Sequence, residues 1–344
     1  MSIGTRRDDL ANDDTFSRHG KGPAARLKRR SLVKPKLDAP RAVTPRVVAG
    51  TFEMADGAVL PYRQWLPSGE PKTVVLALHG INDSADAWEA PSAQLVDAGI
   101  AVIAPDQRGF GTATGRGRWH GTDVMVTDAL TMVAEMHDRF PRARLFLAGE
   151  SMGAAVLMVL AARYKGLDVD GYILSAPAVW GRREMAAAYR LSLWWANKTV
   201  PWLRLSAHRF GIKPSDNPAA LRRAMHPEVR RPSASITVLK GLTDLMDAAL
   251  ATAGQRRAPT LFLYGGKDQL VPKRAMAACW TRERDASACE QVFAFYPDGY
   301  HLLQRDLAGA VVTRDVVQWL RDPNMPLPSG ADHHAAHWLD AQAA

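Results

Sequence analysis

A chain of 344 residues, 47% of them hydrophobic and 23% charged, is long and apolar enough to bury a sizeable core, as one large α/β domain with an insertion or as two domains. The longest uninterrupted apolar run, Ala154–Ala162, is far too short to span a bilayer, and the mixed-charge N-terminus has no apolar stretch of the kind a secretory signal needs. Cys279 and Cys289 are too few for a disulfide framework and read as thiols in a reducing, cytoplasmic compartment.

The net charge of +9 is unevenly placed, with twelve Lys/Arg against five Asp in residues 1–46. Arg26-Leu27-Lys28-Arg29-Arg30, then Lys34 and Lys36, reads as a basic arm over 1–45, with Pro35, Pro40 and Pro45 marking a linker. Such an arm is either a solvated leader or a peripheral contact with an anionic membrane. No zinc-ligand spacing or nucleic-acid module accompanies it, so a nucleic-acid partner is not expected. No motif sets an oligomeric state.

Ordered structure is expected from Arg46. Val47–Met54 and Ala58–Trp65 flank Asp56-Gly57, a strong hairpin signal. The buried-strand run Thr73–Leu78 leads into His79-Gly80-Ile81-Asn82-Asp83, and helix signals follow over Trp88–Ala98. Ile100–Ala104 is the next strand, ending in Asp106-Gln107-Arg108-Gly109-Phe110-Gly111. Helical periodicity then covers Val124–Phe140 and stops at Pro141.

The apolar run Leu145–Ala148 ends in Gly149-Glu150-Ser151-Met152-Gly153, and the helical run Ala154–Tyr164 follows at once. A G-x-S-x-G pattern between strand and helix is a nucleophile elbow. The sharp turn strains the backbone of Ser151 and pushes its hydroxyl above the sheet. Gly149 and Gly153 supply the small neighbours that let strand and helix pass closely.

Gly171–Ser175 continues the sheet. Alternating strands and helices predict a mostly parallel sheet with helices on both faces, with catalytic groups at the carboxyl ends of its strands. After Pro177 the alternation breaks, and from Ala178 to Ala258 the stretches are helix-like, apart from an ambiguous Ile236–Leu239 run. This reads as an inserted helical cap. It carries Trp180, Tyr189, Leu191, Trp194, Trp195 and Trp202 among Arg190, Lys198, Arg204 and Arg209. Trp194 and Trp195 either line an acyl channel with a basic rim or pack the cap onto the core.

Pro259–Tyr264 resumes the sheet and delivers Asp268 in Gly265-Gly266-Lys267-Asp268; Val292–Tyr296 is the last strand and delivers His301. The order Ser151, Asp268, His301 is that of the α/β-hydrolases. Asp298 is the rival acid, but three residues before His301 on the same loop it reads as a turn former. Backbone N–H groups of Ile81 and Met152 are the expected oxyanion donors. His79 is expected to hold its loop, and Glu150 and Asn82 to shape the pocket or support it. The chain thus divides into the arm 1–45, a core of 46–177 and 259–322, the cap 178–258 and a C-terminal tail 323–344. In the tail His333 and His337 would share a helix face, but no carboxylate completes an H-E-x-x-H pattern with them or with His334, so no metal is expected.

Together, His79-Gly80, Asp106–Gly111, Gly149–Gly153, Gly265–Asp268 and Gly299-Tyr300-His301 resemble the monoacylglycerol lipase and lysophospholipase group of serine hydrolases, over about Arg46 to Arg321. The resemblance implies an α/β-hydrolase fold and a Ser–His–Asp esterase acting on single-chain acyl glycerols or lysophospholipids under a helical cap. That chemistry needs no metal or organic cofactor. Other carboxylesters, thioesters, peptides, cofactor-free peroxidase chemistry and a non-catalytic lipid-binding role remain open alternatives, because fold and triad do not fix the acyl donor.

Overall fold

The computed structural model describes residues 46–206, 211–224 and 233–343. The basic arm over 1–45 and Arg209 lie outside them. The hairpin comes first: β1 (Arg46–Glu53) pairs antiparallel with β2 (Val59–Leu66). Then β3 (Thr73–Leu78), α1 (Glu89–Asp97), β4 (Ile100–Pro105), α2 (Thr122–Arg139), β5 (Arg144–Glu150), α3 (Met152–Arg163) and β6 (Gly171–Ser175) alternate as the apolar runs predict. A 3-10 turn at Ala85–Trp88 precedes α1.

Between β6 and the return of the sheet lie α4 (Ala187–Thr199), β7 (Arg204–Leu205), α5 (Pro218–Ala224), β8 (Ala234–Ser235) and α6 (Ile236–Ala251). The ambiguous Ile236–Leu239 run is the first turn of α6. Ser235 caps it by accepting a hydrogen bond from the Val238 N–H at 3.3 Å, which commits the β-branched residues that follow to helix. The sheet resumes with β9 (Thr260–Gly265), α7 (Lys273–Ala286) and β10 (Gln291–Tyr296), and α8 (Gly309–Arg321) and α9 (Ala331–Ala343) close the chain.

The described residues form an eight-stranded sheet in the order β1-β2-β4-β3-β5-β6-β9-β10, parallel from β4 to β10, beside a two-stranded β7-β8 ladder. Successive strand residues serve opposite faces. Val74, Leu76 and Leu78 enter one core with α2, α3 and α6, whereas Val75 and Ala77 enter the other with α1 and α8. Burial on both faces explains why these strands read as continuous apolar runs. Every residue of α3 from Met152 to Ala162 is buried, because α3 is covered by the sheet, by α2 and by α6.

Residues 323–344, expected as a tail, supply α9, which packs along β10. Trp338 stacks on Phe295 at 4.9 Å and meets Trp280 edge-on at 5.3 Å. His333, His334 and His337 point to solvent, and among the described residues no group of three metal-ligating side chains forms. Nor, among them, is any helix long and apolar enough to cross a membrane.

Candidate active site

The elbow is built by close approach. A Cβ on Gly153 would collide with the Leu78 carbonyl, and one on Gly149 with the backbone of Ala154. Ser151 sits between them at φ 53° and ψ −110°, a conformation non-glycine residues rarely adopt. It is held there from both sides. Its N–H donates to the Ser175 carbonyl at 2.9 Å, and its carbonyl accepts from Ala155 and Ala178 at 3.1 and 3.0 Å. Met152 follows as the first residue of α3, where backbone N–H groups have no partner within the helix.

The loop after β3 brings Ile81 to the same end of the sheet. His79 is fully buried and braces it. Its Nε2 accepts from the Gln107 N–H at 3.0 Å, which leaves the Nδ1 proton to donate to the Gly80 carbonyl at 2.7 Å. Both ring nitrogens are therefore engaged in holding loops, as expected of a supporting histidine. Asn82 next to Ile81 is left-handed, at φ 57°.

Asp268 and His301 meet across the loops that follow β9 and β10. His301 Nδ1 lies 2.7 Å from Asp268 Oδ2, with both groups buried. Asp268 Oδ1 accepts from the Leu270 and Val271 N–H groups at 2.7 and 3.0 Å, so the carboxylate cannot swing away. Asp298 points elsewhere: it is exposed and binds Lys267 Nζ at 2.7 Å, an ion pair that keeps its carboxyl below the usual range. The imidazole is raised above its ordinary value. Burial opposes the charged ring, but the charge and hydrogen bond of Asp268, with the charge of Glu150, outweigh burial and the opposing charge of Arg305.

Ser151 and His301 line one cavity of about 410 Å³. Its wall is mostly apolar, with Trp180 and Met185 from the loop before α4, Leu239, Leu242 and Met246 from α6, and Ile81, Val271 and Leu302 from the loops of the site; Asn82, Asp83, Glu150 and Thr243 are its polar members. Arg182 pins the loop before α4 to α6 by bonding Asp244 at 2.6 Å and also Asp247.

Trp194 and Trp195 are not brought to it. Both stand on α4, none of whose residues is buried, and each is more than half exposed (55% and 56%). The expectation that they line the channel differs from this arrangement because α4 packs on α6 and leaves its aromatic side outward. Among the cap helices the lining comes instead from α6, whose Leu239, Leu242, Thr243 and Met246 recur at helical spacing. That periodicity was present in the sequence; which face it served was not. A second feature had no sequence signal. Arg305 is buried and donates to Asp83 at 2.8 Å and to Glu150, residues far from it in the chain.

The family model described as serine aminopeptidase, S33 (Hydrolase_4) matches residues 69–308. Among curated relatives, monoacylglycerol lipase of Mycolicibacterium smegmatis is 25% identical over 78% of this chain and 95% of its own. Human monoglyceride lipase is 27% identical over 74% of this chain and 83% of its own. Among solved structures, a soluble variant of monoglyceride lipase from Saccharomyces cerevisiae in complex with a substrate analog superposes with a TM-score of 0.64 at 20% identity, covering 81% of this chain and 96% of that one.

Proposed function

The chain belongs to the Hydrolase_4 family and resembles monoacylglycerol lipase among the α/β-hydrolases, a serine ester hydrolase by that likeness, and on this premise we propose that it cleaves single-chain acyl lipids through an acyl-enzyme on Ser151. One observation carries the substrate class. The cavity of about 410 Å³ that Ser151 and His301 share is lined mostly by apolar side chains, which suits an acyl tail.

In this reading Asp268 holds the Nδ1–H tautomer of His301 and leaves Nε2 for Ser151. His301 takes the Ser151 proton as the hydroxyl attacks the ester carbonyl, and the N–H groups of Ile81 and Met152 receive the developing oxyanion. His301 then protonates the departing alcohol. Water, activated by the same imidazole, releases the fatty acid. The distance of 2.7 Å between His301 and Asp268 and the strained backbone of Ser151 support these roles. Residues 178–258 act as the cap, with α6 as the channel wall.

A second part of the reading concerns where substrate is met. The exposed side of α4 presents Leu191, Trp194 and Trp195, continued by Trp202 and Leu203, beside the exposed cations Arg190 and Lys198. Tryptophan and basic side chains together suit the interface of an anionic membrane, which makes this side a peripheral contact through which an acyl chain reaches the cavity.

The deciding experiment is a substrate panel of monoacylglycerols, lysophospholipids, short esters, thioesters and aminoacyl amides, read as kcat/KM. Highest values for the single-chain lipid esters are expected. Preference for the amides or thioesters would replace the lipid reading with the corresponding hydrolase on the same fold.

A further inference from the structure

Three segments converge on the Ser151 cavity, and a single side chain cross-links them. Asp83 stands two residues past Ile81, Glu150 immediately precedes Ser151, and Arg305 lies four residues past His301. Arg305 Nη1 donates to Asp83 Oδ2 at 2.8 Å, and Nη2 donates to Glu150 Oε1. None of the three side chains is more than 8% exposed.

Each arm of this bridge is rigidly mounted. The Arg305 N–H donates to the Leu302 carbonyl at 2.8 Å, and the Arg305 carbonyl accepts from Asn217 Nδ2 at 2.9 Å. Asp83 Oδ1 accepts from the Ser84 N–H at 2.7 Å. Glu150 ends β5, in register with Ser175 of β6.

Stability is a poor account of such a cluster. Desolvation of buried charges largely cancels their attraction, and apolar side chains of similar size fill such space as well or better. Two carboxylates also share one guanidinium, whose Nε has no partner among the described residues. What a planar two-pronged donor does, and an apolar side chain does not, is fix the distance and angle between two acceptors.

We propose that Arg305 is a positioning residue that, through Asp83 and Glu150, holds the Ile81 loop and the Ser151 elbow in register with the His301 loop. This rests on the roles proposed above for Ser151, His301 and the Ile81 N–H. Both held segments need such a hold, since Asn82 and Ser151 are left-handed without being glycine. Misplacement of a catalytic group by about 1 Å lowers rate by as much as about 10²-fold. The bridge also sets charge. Asp268 faces the imidazole from the β9 loop, Glu150 from β5 and Arg305 from its own turn, and Asp83 of the β3 loop is held by Arg305; the Glu150 charge favours the imidazolium and Arg305 opposes it.

The test compares Arg305→Lys and Glu150→Gln with wild type, both confirmed folded by circular dichroism and thermal melting. Arg305→Met is avoided because it would take the guanidinium from two buried carboxylates at once. The readouts are the second-order rate of labelling by a fluorophosphonate and the pH profile of p-nitrophenyl butyrate hydrolysis. Lysine keeps the charge but lacks the fork, so kcat and labelling should fall about 10-fold or more with KM little changed, while the acid limb of kcat/KM stays in place. Glutamine keeps the shape and removes a negative charge near His301, so its acid limb should move to lower pH. A folded Arg305→Lys with wild-type kcat and labelling, or a folded Glu150→Gln with an unmoved acid limb, would overturn the proposal. Absence of label on Ser151 in the wild type would instead overturn the nucleophile assignment on which it stands.

Discussion

Asp268 Oδ2 lies 2.7 Å from His301 Nδ1, and the other carboxylate oxygen is already held by the Leu270 and Val271 N–H groups. The acid facing the imidazole is therefore fixed before substrate arrives. Asp268→Asn is expected to lower turnover by about 10³–10⁴-fold by offering the wrong partner to Nδ1. Asp298→Asn removes a solvent-exposed partner of Lys267 and should leave steady-state turnover close to wild type. The reverse ranking would move the role to Asp298.

The pH profile follows from the same pair. Burial would depress the His301 pKa, but Asp268 and Glu150 outweigh burial and Arg305, and it is raised. The proposed base works only when neutral, so activity is full above that raised pKa and is lost as pH falls through it. The acid limb of kcat/KM should thus lie above the ordinary imidazole value of about 6.5. A limb at or below that value would contradict the environment described for His301.

Much of this was legible along the chain. The strands around Ser151 are short apolar runs because both faces of the sheet are covered, and four of them lead to residues of the proposed site: Ile81 after β3, Ser151 after β5, Asp268 after β9 and His301 after β10. Local pattern carries such information well. It carried less about the insertion. The tryptophans of α4 look like lining by composition, yet they are exposed, and the cavity takes its cap-helix lining from α6, whose first turn reads equally well as strand. The Asp83–Arg305–Glu150 bridge joins residues more than a hundred positions apart and leaves no local trace. The packing of α9 onto β10 left little trace, because its inward residues Ala331, Ala335, Trp338 and Leu339 are separated by the exposed His333, His334, Ala336 and His337.

Chain-length preference tests the cavity. Leu242 and Met246 stand one turn apart on α6 and line it with Trp180. Each substrate methylene buried there contributes at most about 0.8 kcal/mol, so kcat/KM should rise with acyl length and level off when the space is full. Leu242→Trp should move that plateau to shorter chains while sparing acetyl esters. An unchanged profile in the folded variant would put the acyl tail elsewhere.

The outward side of α4 makes a separate claim. Combined Trp194→Ala and Trp195→Ala replacement removes exposed rings, so stability should change by about 0.5 kcal/mol or less per site and hydrolysis of a soluble short ester should persist. Binding to anionic vesicles, measured by co-sedimentation, should weaken. A lowered melting temperature with unaltered vesicle binding would make the pair packing residues.

The most direct measurement is hydrolysis of a monoacylglycerol by Ser151→Ala beside wild type, with folding of both checked by circular dichroism. Ser151 is held at φ 53° above the sheet, in the cavity it shares with His301. Its loss should lower turnover by about 10⁴-fold or more with the fold intact. A folded Ser151→Ala protein that still turns over monoacylglycerol near the wild-type rate would contradict the account.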